Sequence, residues 1–182
     1  MPHLMSVPNL LSLSRIIMAG FMYWAVATSE WYIAVTVLWL AIFTDVLDGY
    51  LARKQEVTNP LGGLFDHGSD AIFVTVTIAA HLHHAWAPLL LVIMIPAAFL
   101  QYMLDSKTLA GHPLRASALG RYNGISYFVF AGFPIMQITL GITLIPFDWF
   151  IWIGWGLVLT TAISMLDRLV TLLSSRVADD QA

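Results

Sequence analysis

The sequence predicts an all-α bundle of six membrane spans led by a short N-terminal interfacial helix, and three observations support that reading. Apolar residues make up 59% of the 182-residue chain and only 10% is charged, with a mean hydropathy of +0.78; soluble domains do not have this composition. The apolar stretches recur at the ~20 residues a helix needs to cross a bilayer. When six such spans alternate, all eight Lys and Arg residues fall on one side, the side that the positive-inside rule makes cytoplasmic.

The elements follow in order. PHLMSVPNLLSLSR carries prolines at 2 and 8, with Ser12 and Arg15 on a polar side, and reads as an interfacial helix. It leads into a first span from Leu10 to about Thr28. Ala25-Val26-Ala27 imitates a signal-peptide cleavage site, but no basic residues stand near Met1, so the segment reads as a span. The second span runs from Trp31 to Leu51 and becomes acidic at Asp45. A polar connection, Lys54 to Leu61, contains Asn59 and Pro60. The third span covers Gly62 to His84 and the fourth Trp86 to Leu104. Ser106 to Ala118 is a loop with Gly111 and Pro113. The fifth span, Leu119 to Gly141, contains Pro134, which membrane helices tolerate, and the sixth runs from Phe147 to Leu173 before a polar tail. These elements use the whole chain as one domain, residues 1–182. No basic tract points to nucleic acid, so none is expected as a partner. No cysteine is available for a disulfide or a thiolate metal site.

The chemistry is concentrated in DVLDGYLARKQEVTNPLGGLFDHGSD, residues 45–70. Ionisable residues within membrane spans are costly and mark functional sites by default. Asp45 and Asp48 lie about 60° apart on a helix, with Gly49 and Ala52 on the same stripe. Asp66 and Asp70 form an i, i+4 pair about 40° apart, and Gly62 shares their face. Small residues on both faces let two helices approach closely, and the tight connection makes these helices antiparallel, bringing both pairs to one end. Four carboxylates together need protons or cations. Hard oxygen ligands in that number suit Mg2+ or Mn2+, or Ca2+, and two divalent ions suit an in-line displacement at phosphorus. The bland alternative is salt bridges to Arg53 and Arg121, which the excess of carboxylates argues against. A cation-conducting bundle is a further alternative, but it predicts carboxylates spread through the membrane depth, and here they collect at one end.

Asp45, Asp48, Gly49, Ala52, Arg53, Gly62, Asp66 and Asp70 match the pattern DxxDGxxARx8Gx3Dx3D without a gap, so the chain resembles the CDP-alcohol phosphotransferase family. Pro8, Asn9, Leu10, Leu11 and Arg15 are similar to the family's PNLLTxxR start, with Ser12 in place of threonine. The resemblance implies an integral membrane enzyme that transfers a substituted phosphate group from a CDP-linked donor to an alcohol or lipid acceptor and releases CMP. It implies Asp45, Asp48, Asp66 and Asp70 as ligands of two divalent ions, with Asp70 at the edge of the pair as general base. Gly49, Ala52, Arg53, Thr58 and Gly62 are implied at the donor nucleotide and pyrophosphate. Arg115 and Arg121 are either topology determinants or acceptor phosphate contacts.

The implied setting is the bacterial inner membrane, with both termini and the site cytoplasmic; homodimerisation is left open. The short six-span plan resembles phosphatidyltransferases that use CDP-diacylglycerol and an acceptor such as glycerol 3-phosphate. Those enzymes carry LDPxADK around the third and fourth aspartates, whereas this chain reads Phe65-Asp66-His67-Gly68-Ser69-Asp70-Ala71. That wording is closer to choline and ethanolamine phosphotransferases, which use CDP-choline or CDP-ethanolamine and diacylglycerol. His67 points about 100° away from Asp66 and is left out of the metal set. His81, His83 and His84, beside Trp86, read as interfacial packing rather than as a metal site.

Overall fold

A computed structural model describes residues 7–54, 60–105 and 118–179. Among them are six α-helices: α1 (Val7–Ala27), α2 (Trp31–Lys54), α3 (Pro60–His81), α4 (Leu89–Asp105), α5 (Ala118–Thr139) and α6 (Phe147–Asp179), with a 3-10 turn, Leu82–His84, after α3. Three windows are long and apolar enough to cross a membrane: Leu10–Ala27, Trp31–Leu51 and Phe147–Thr171. The apolar α4 is shorter, and buried polar residues lie on α1, α2, α3, α5 and α6.

One expectation is corrected at the N-terminus. Pro8 to Arg15 does not form a separate interfacial helix but is the first part of α1, continuous with the span. The reason is packing. Ser12 and Arg15 are buried against α2 and α3, and Ala19, Met22, Ala25 and Val26 continue the same buried face for three further turns. The sixth helix is also longer than predicted and runs through most of the tail that reads as polar. Span four starts later, at Leu89, because the 3-10 turn, Ala85 in the left-handed region and Pro88 intervene.

α1 packs chiefly on α3 and α2, while α4, α5 and α6 close the other side and α5 also touches α2 and α3. Alanines at 19, 25, 34, 41, 80 and 131 lie in the core with Leu38, Phe73, Ile78, Leu91 and Ile135, and such small residues let membrane helices approach. Gly154 shows how close the approach is: a Cβ there would lie 2.4 Å from Cδ of Pro88. The opposite surface is apolar too, with Ile17, Phe21, Trp39, Phe43, Trp152 and Leu166 all exposed. A continuous surface of that kind belongs against lipid.

The turns are short and hydrogen-bonded. Ser29 takes a positive φ of 62° between α1 and α2, and the Glu30 amide donates to the Ala25 carbonyl at 2.7 Å. Gly141, φ 66°, ends α5, where the Ile142 amide donates to the Gln137 carbonyl at 3.0 Å; only glycine takes this cap position without strain. Gln137 then clamps the following loop, with Nε2 donating to the Ile145 carbonyl at 3.0 Å.

The histidine end is a packed cap, and His81 is more deeply buried than interfacial packing implies. It is fully buried, with Nε2 2.9 Å from the Ala131 carbonyl. His84 Nε2 is 2.8 Å from the Val26 carbonyl, and its ring stacks on Trp86. His83 meets the Tyr23 hydroxyl at 2.9 Å.

Candidate active site

The helix pairings bring the carboxylates to one point. Asp45, Asp48 and Gly49 sit near the end of α2, and Asp66 and Asp70 lie in the first turns of α3; the close approach of α2 and α3 expected from their small residues is corrected, since both helices pack chiefly on α1 and their carboxylates meet across it. The third wall is α1. Its Ser12 and Arg15, one turn apart, point into the cluster.

Arg15 is the organising side chain, and the sequence reading missed it. It is 1% exposed, and its guanidinium touches all four carboxylates. Nη1 donates to Asp45 Oδ1 at 2.7 Å and also to Asp70. Nη2 donates to Asp66 Oδ1 at 2.5 Å and also to Asp48. Ser12 Oγ lies 3.3 Å from Nη2 and 3.2 Å from Asp48 Oδ2. Salt bridges therefore do form within the cluster, and their cation is Arg15, which the sequence reading did not weigh as a partner. The signal was available, because Arg15 is itself an ionisable residue in an apolar stretch and Ser12 shares its helix face. Its buried bridge to Asp48 is of the kind whose rupture costs about 3–5 kcal/mol, because the remaining charge is left unpaired.

One guanidinium does not balance four carboxylates, so three negative charges remain in excess when all are ionised. Ligand atoms of Asp45, Asp48 and Asp66 lie within 4.8 Å of one another, and so do those of Asp66, His67 and Asp70. The two groups share Asp66. Oxygen-rich sets of this kind, with unspent charge, fit hard divalent cations. His67 stands nearer to this chemistry than its helical direction suggests, since its ring nitrogen falls inside the second group. Gly49 lies on the acidic stripe of α2, and Gly62 in the first turn of α3. Thr58 and Arg115 lie outside the described residues, as do the side chains of Ala52 and Arg53.

A cavity of about 680 Å³ opens beside the cluster between α3, α4, α5 and α6, and Asp70 and His67 form part of its wall. Its floor is apolar, with Val74, Ile95, Phe99 and Phe128. Polar side chains line much of the rest. Arg121, read from the sequence as either a topology determinant or an acceptor-phosphate contact, lines the cavity, and so does Arg168. Arg168 lies 4.8 Å over the ring of Tyr102 and 3.9 Å from Asp105. Asn123 Nδ2 and Gln101 Oε1 are buried without a hydrogen-bond partner, and both residues line the cavity. A donor and an acceptor left unpaired at such depth are costly unless a guest satisfies them. Arg168, Asn123 and Gln101 come from three helices distant in sequence, so no local motif marks them.

Six described helices with an apolar outer surface, a polyacidic cluster at helix ends and an adjoining cavity define a polytopic membrane protein built around an acidic site. The chain belongs to the CDP-alcohol phosphatidyltransferase family, whose profile matches residues 5–169. It is 32% identical over 96 residues to the CDP-diacylglycerol--glycerol-3-phosphate 3-phosphatidyltransferase of Haemophilus influenzae, covering 50% of this chain and 52% of that protein. A protein of the same name from Aquifex aeolicus is 36% identical, over 42% of this chain and 43% of its own. The cardiolipin synthase (CMP-forming) of Streptomyces coelicolor is 27% identical over 84% of this chain and 76% of its own. The chain thus spans about half the length of the glycerol-3-phosphate phosphatidyltransferases it matches.

Proposed function

We propose that this protein transfers the phosphatidyl group of CDP-diacylglycerol to the hydroxyl of glycerol 3-phosphate and releases CMP, acting at the cytoplasmic face of a bacterial inner membrane. The observation that carries the reading is that Asp70 belongs to both the carboxylate cluster and the cavity wall. A group in that position can take a proton from an acceptor in the cavity while the donor pyrophosphate lies at the cluster. The names of the Haemophilus and Aquifex relatives support the choice of donor and acceptor.

In this account Asp45, Asp48, Asp66 and Asp70 hold two divalent cations, Mg2+ or Mn2+. When bound, these ions withdraw charge from the pyrophosphate and stabilise the leaving CMP. Gly49, Ala52 and Gly62 leave room for the nucleotide, and Arg53 and Thr58 contact the pyrophosphate side. Arg121 and Arg168, together with Arg115, receive the phosphate of the acceptor, and Asn123 and Gln101 engage its hydroxyls. The acceptor oxygen forms a bond to the phosphatidyl phosphorus, and its proton passes to Asp70. The phosphorus–oxygen bond to CMP breaks, and CMP leaves with the electron pair.

A second acceptor is favoured by one observation, the apolar floor of the cavity, which would accept a lipid such as phosphatidylglycerol. The long match to the Streptomyces cardiolipin synthase points the same way. The test is CMP release by the purified protein with CDP-diacylglycerol and either glycerol 3-phosphate or phosphatidylglycerol, compared with CDP-choline or CDP-ethanolamine and diacylglycerol. Release with CDP-diacylglycerol and glycerol 3-phosphate is expected. Release only with the CDP-amino alcohols would overturn the choice of donor.

A further inference from the structure

Arg15 does more than hold three helices together. Its two terminal nitrogens each reach into both candidate cation sites, which share Asp66: Nη2 meets Asp48 and Asp66, while Nη1 meets Asp45 and Asp70. The fixed positive charge therefore lies across both ligand groups, within hydrogen-bond distance of every carboxylate that would bind an ion, and at 1% exposure it cannot be screened by solvent.

Charge then decides how many ions the cluster takes. Four ionised carboxylates and one guanidinium leave three negative charges. One divalent ion reduces the excess to one. The second ion then meets only that single negative charge, where the first met three, and binding it would carry the partly desolvated site past neutrality. A pyrophosphate diester carries two negative charges and reverses that imbalance.

We propose that Arg15 makes binding of the second divalent cation conditional on the donor, so that the cluster alone holds one ion and the complete pair assembles only with the CDP-linked substrate. This rests on the reading that the cluster holds divalent ions. Its consequence is ordered assembly: an acceptor entering the cavity before the donor meets an incomplete site. Arg15 is thus a positioning residue that acts through the ions and carboxylates.

The experiment is Mn2+ titration of detergent-purified, chelator-stripped protein, with no acceptor, following free Mn2+ by electron paramagnetic resonance. Wild type should bind one ion tightly alone and two with CDP-diacylglycerol. In Arg15→Gln the positive charge is gone, so both ions should bind without donor, the second at least ~10-fold more tightly than in wild type. Arg15→Lys keeps the charge and should behave as wild type. Two tight ions on the donor-free wild type or on donor-free Arg15→Lys, or only one on Arg15→Gln, would overturn the proposal. Should Arg15→Gln not fold, the wild type with and without donor and Arg15→Lys still decide it. Absence of Mn2+ binding to all three proteins under every condition would overturn the divalent-ion reading itself, and this proposal with it.

Discussion

Asp48 and Asp45 stand one helical turn apart, yet their surroundings differ. Asp48 has a 4% exposed side chain locked between Arg15 and Ser12, whereas the side chain of Asp45 is 48% exposed. Asp48→Asn therefore removes a buried charge from a bridged pair, and it should lower thermal stability in detergent as well as activity. Asp45→Asn should cost activity with little change in melting temperature. Comparing melting curves with CMP release separates the two effects. At the cavity, Arg168→Ala should raise the KM for glycerol 3-phosphate about tenfold or more while kcat changes less, because a charge-assisted contact to phosphate contributes about 1.5–3 kcal/mol. An unchanged KM would remove Arg168 from the acceptor site. The four aspartates were legible because their spacing alone puts them on two faces. Arg15 was legible only as an ionisable residue in an apolar stretch, because its partners depend on α1 lying against α2 and α3, and nothing local to PNLLSLSR reveals which helices it meets.

The helices were legible as elements, and their boundaries were set by chemistry that the sequence displays: Pro60 opening α3, Gly141 closing α5 and Pro88 preceding α4. Less legible was which helix touches which. Hydropathy identifies a span without naming its neighbours, so the close contact of Gly154 with Pro88 was invisible. That contact carries a prediction of its own. Gly154→Ala places a Cβ 2.4 Å from Cδ of a rigid proline ring, and overpacking of this kind costs about 1–3 kcal/mol. The variant should melt earlier in detergent, while CMP release per folded molecule stays near wild type, since the contact lies away from the carboxylates. Gly156, with open space around its Cβ position, supplies the control, and Gly156→Ala should be tolerated.

Across the whole molecule, polarity is divided between two ends. One end gathers the four aspartates, Arg15 and the mouth of the cavity, and the other is capped by His81, His84, Trp31, Trp86 and Phe147, packed ring against ring and onto backbone carbonyls. The account makes the first end chemical and the second structural. Removing divalent cations with a chelator should abolish CMP release, and Mg2+ or Mn2+ should restore it. His83→Ala, which removes the contact with Tyr23 at the far end, should leave the rate within a few fold. The reverse outcome would put the chemistry at the wrong end of the molecule.

The central claim is that Asp70 joins the carboxylate cluster to the acceptor cavity as the proton-accepting group. The most direct measurement pairs a titration of CDP-diacylglycerol binding to Asp70→Asn with its single-turnover rate at saturating donor and glycerol 3-phosphate. The account predicts that donor binding is retained, because three other carboxylates remain, while the rate falls by the ~10²–10⁴ typical of a lost general base. A rate close to wild type, or a loss of donor binding that accounts for the whole loss of rate, would contradict it.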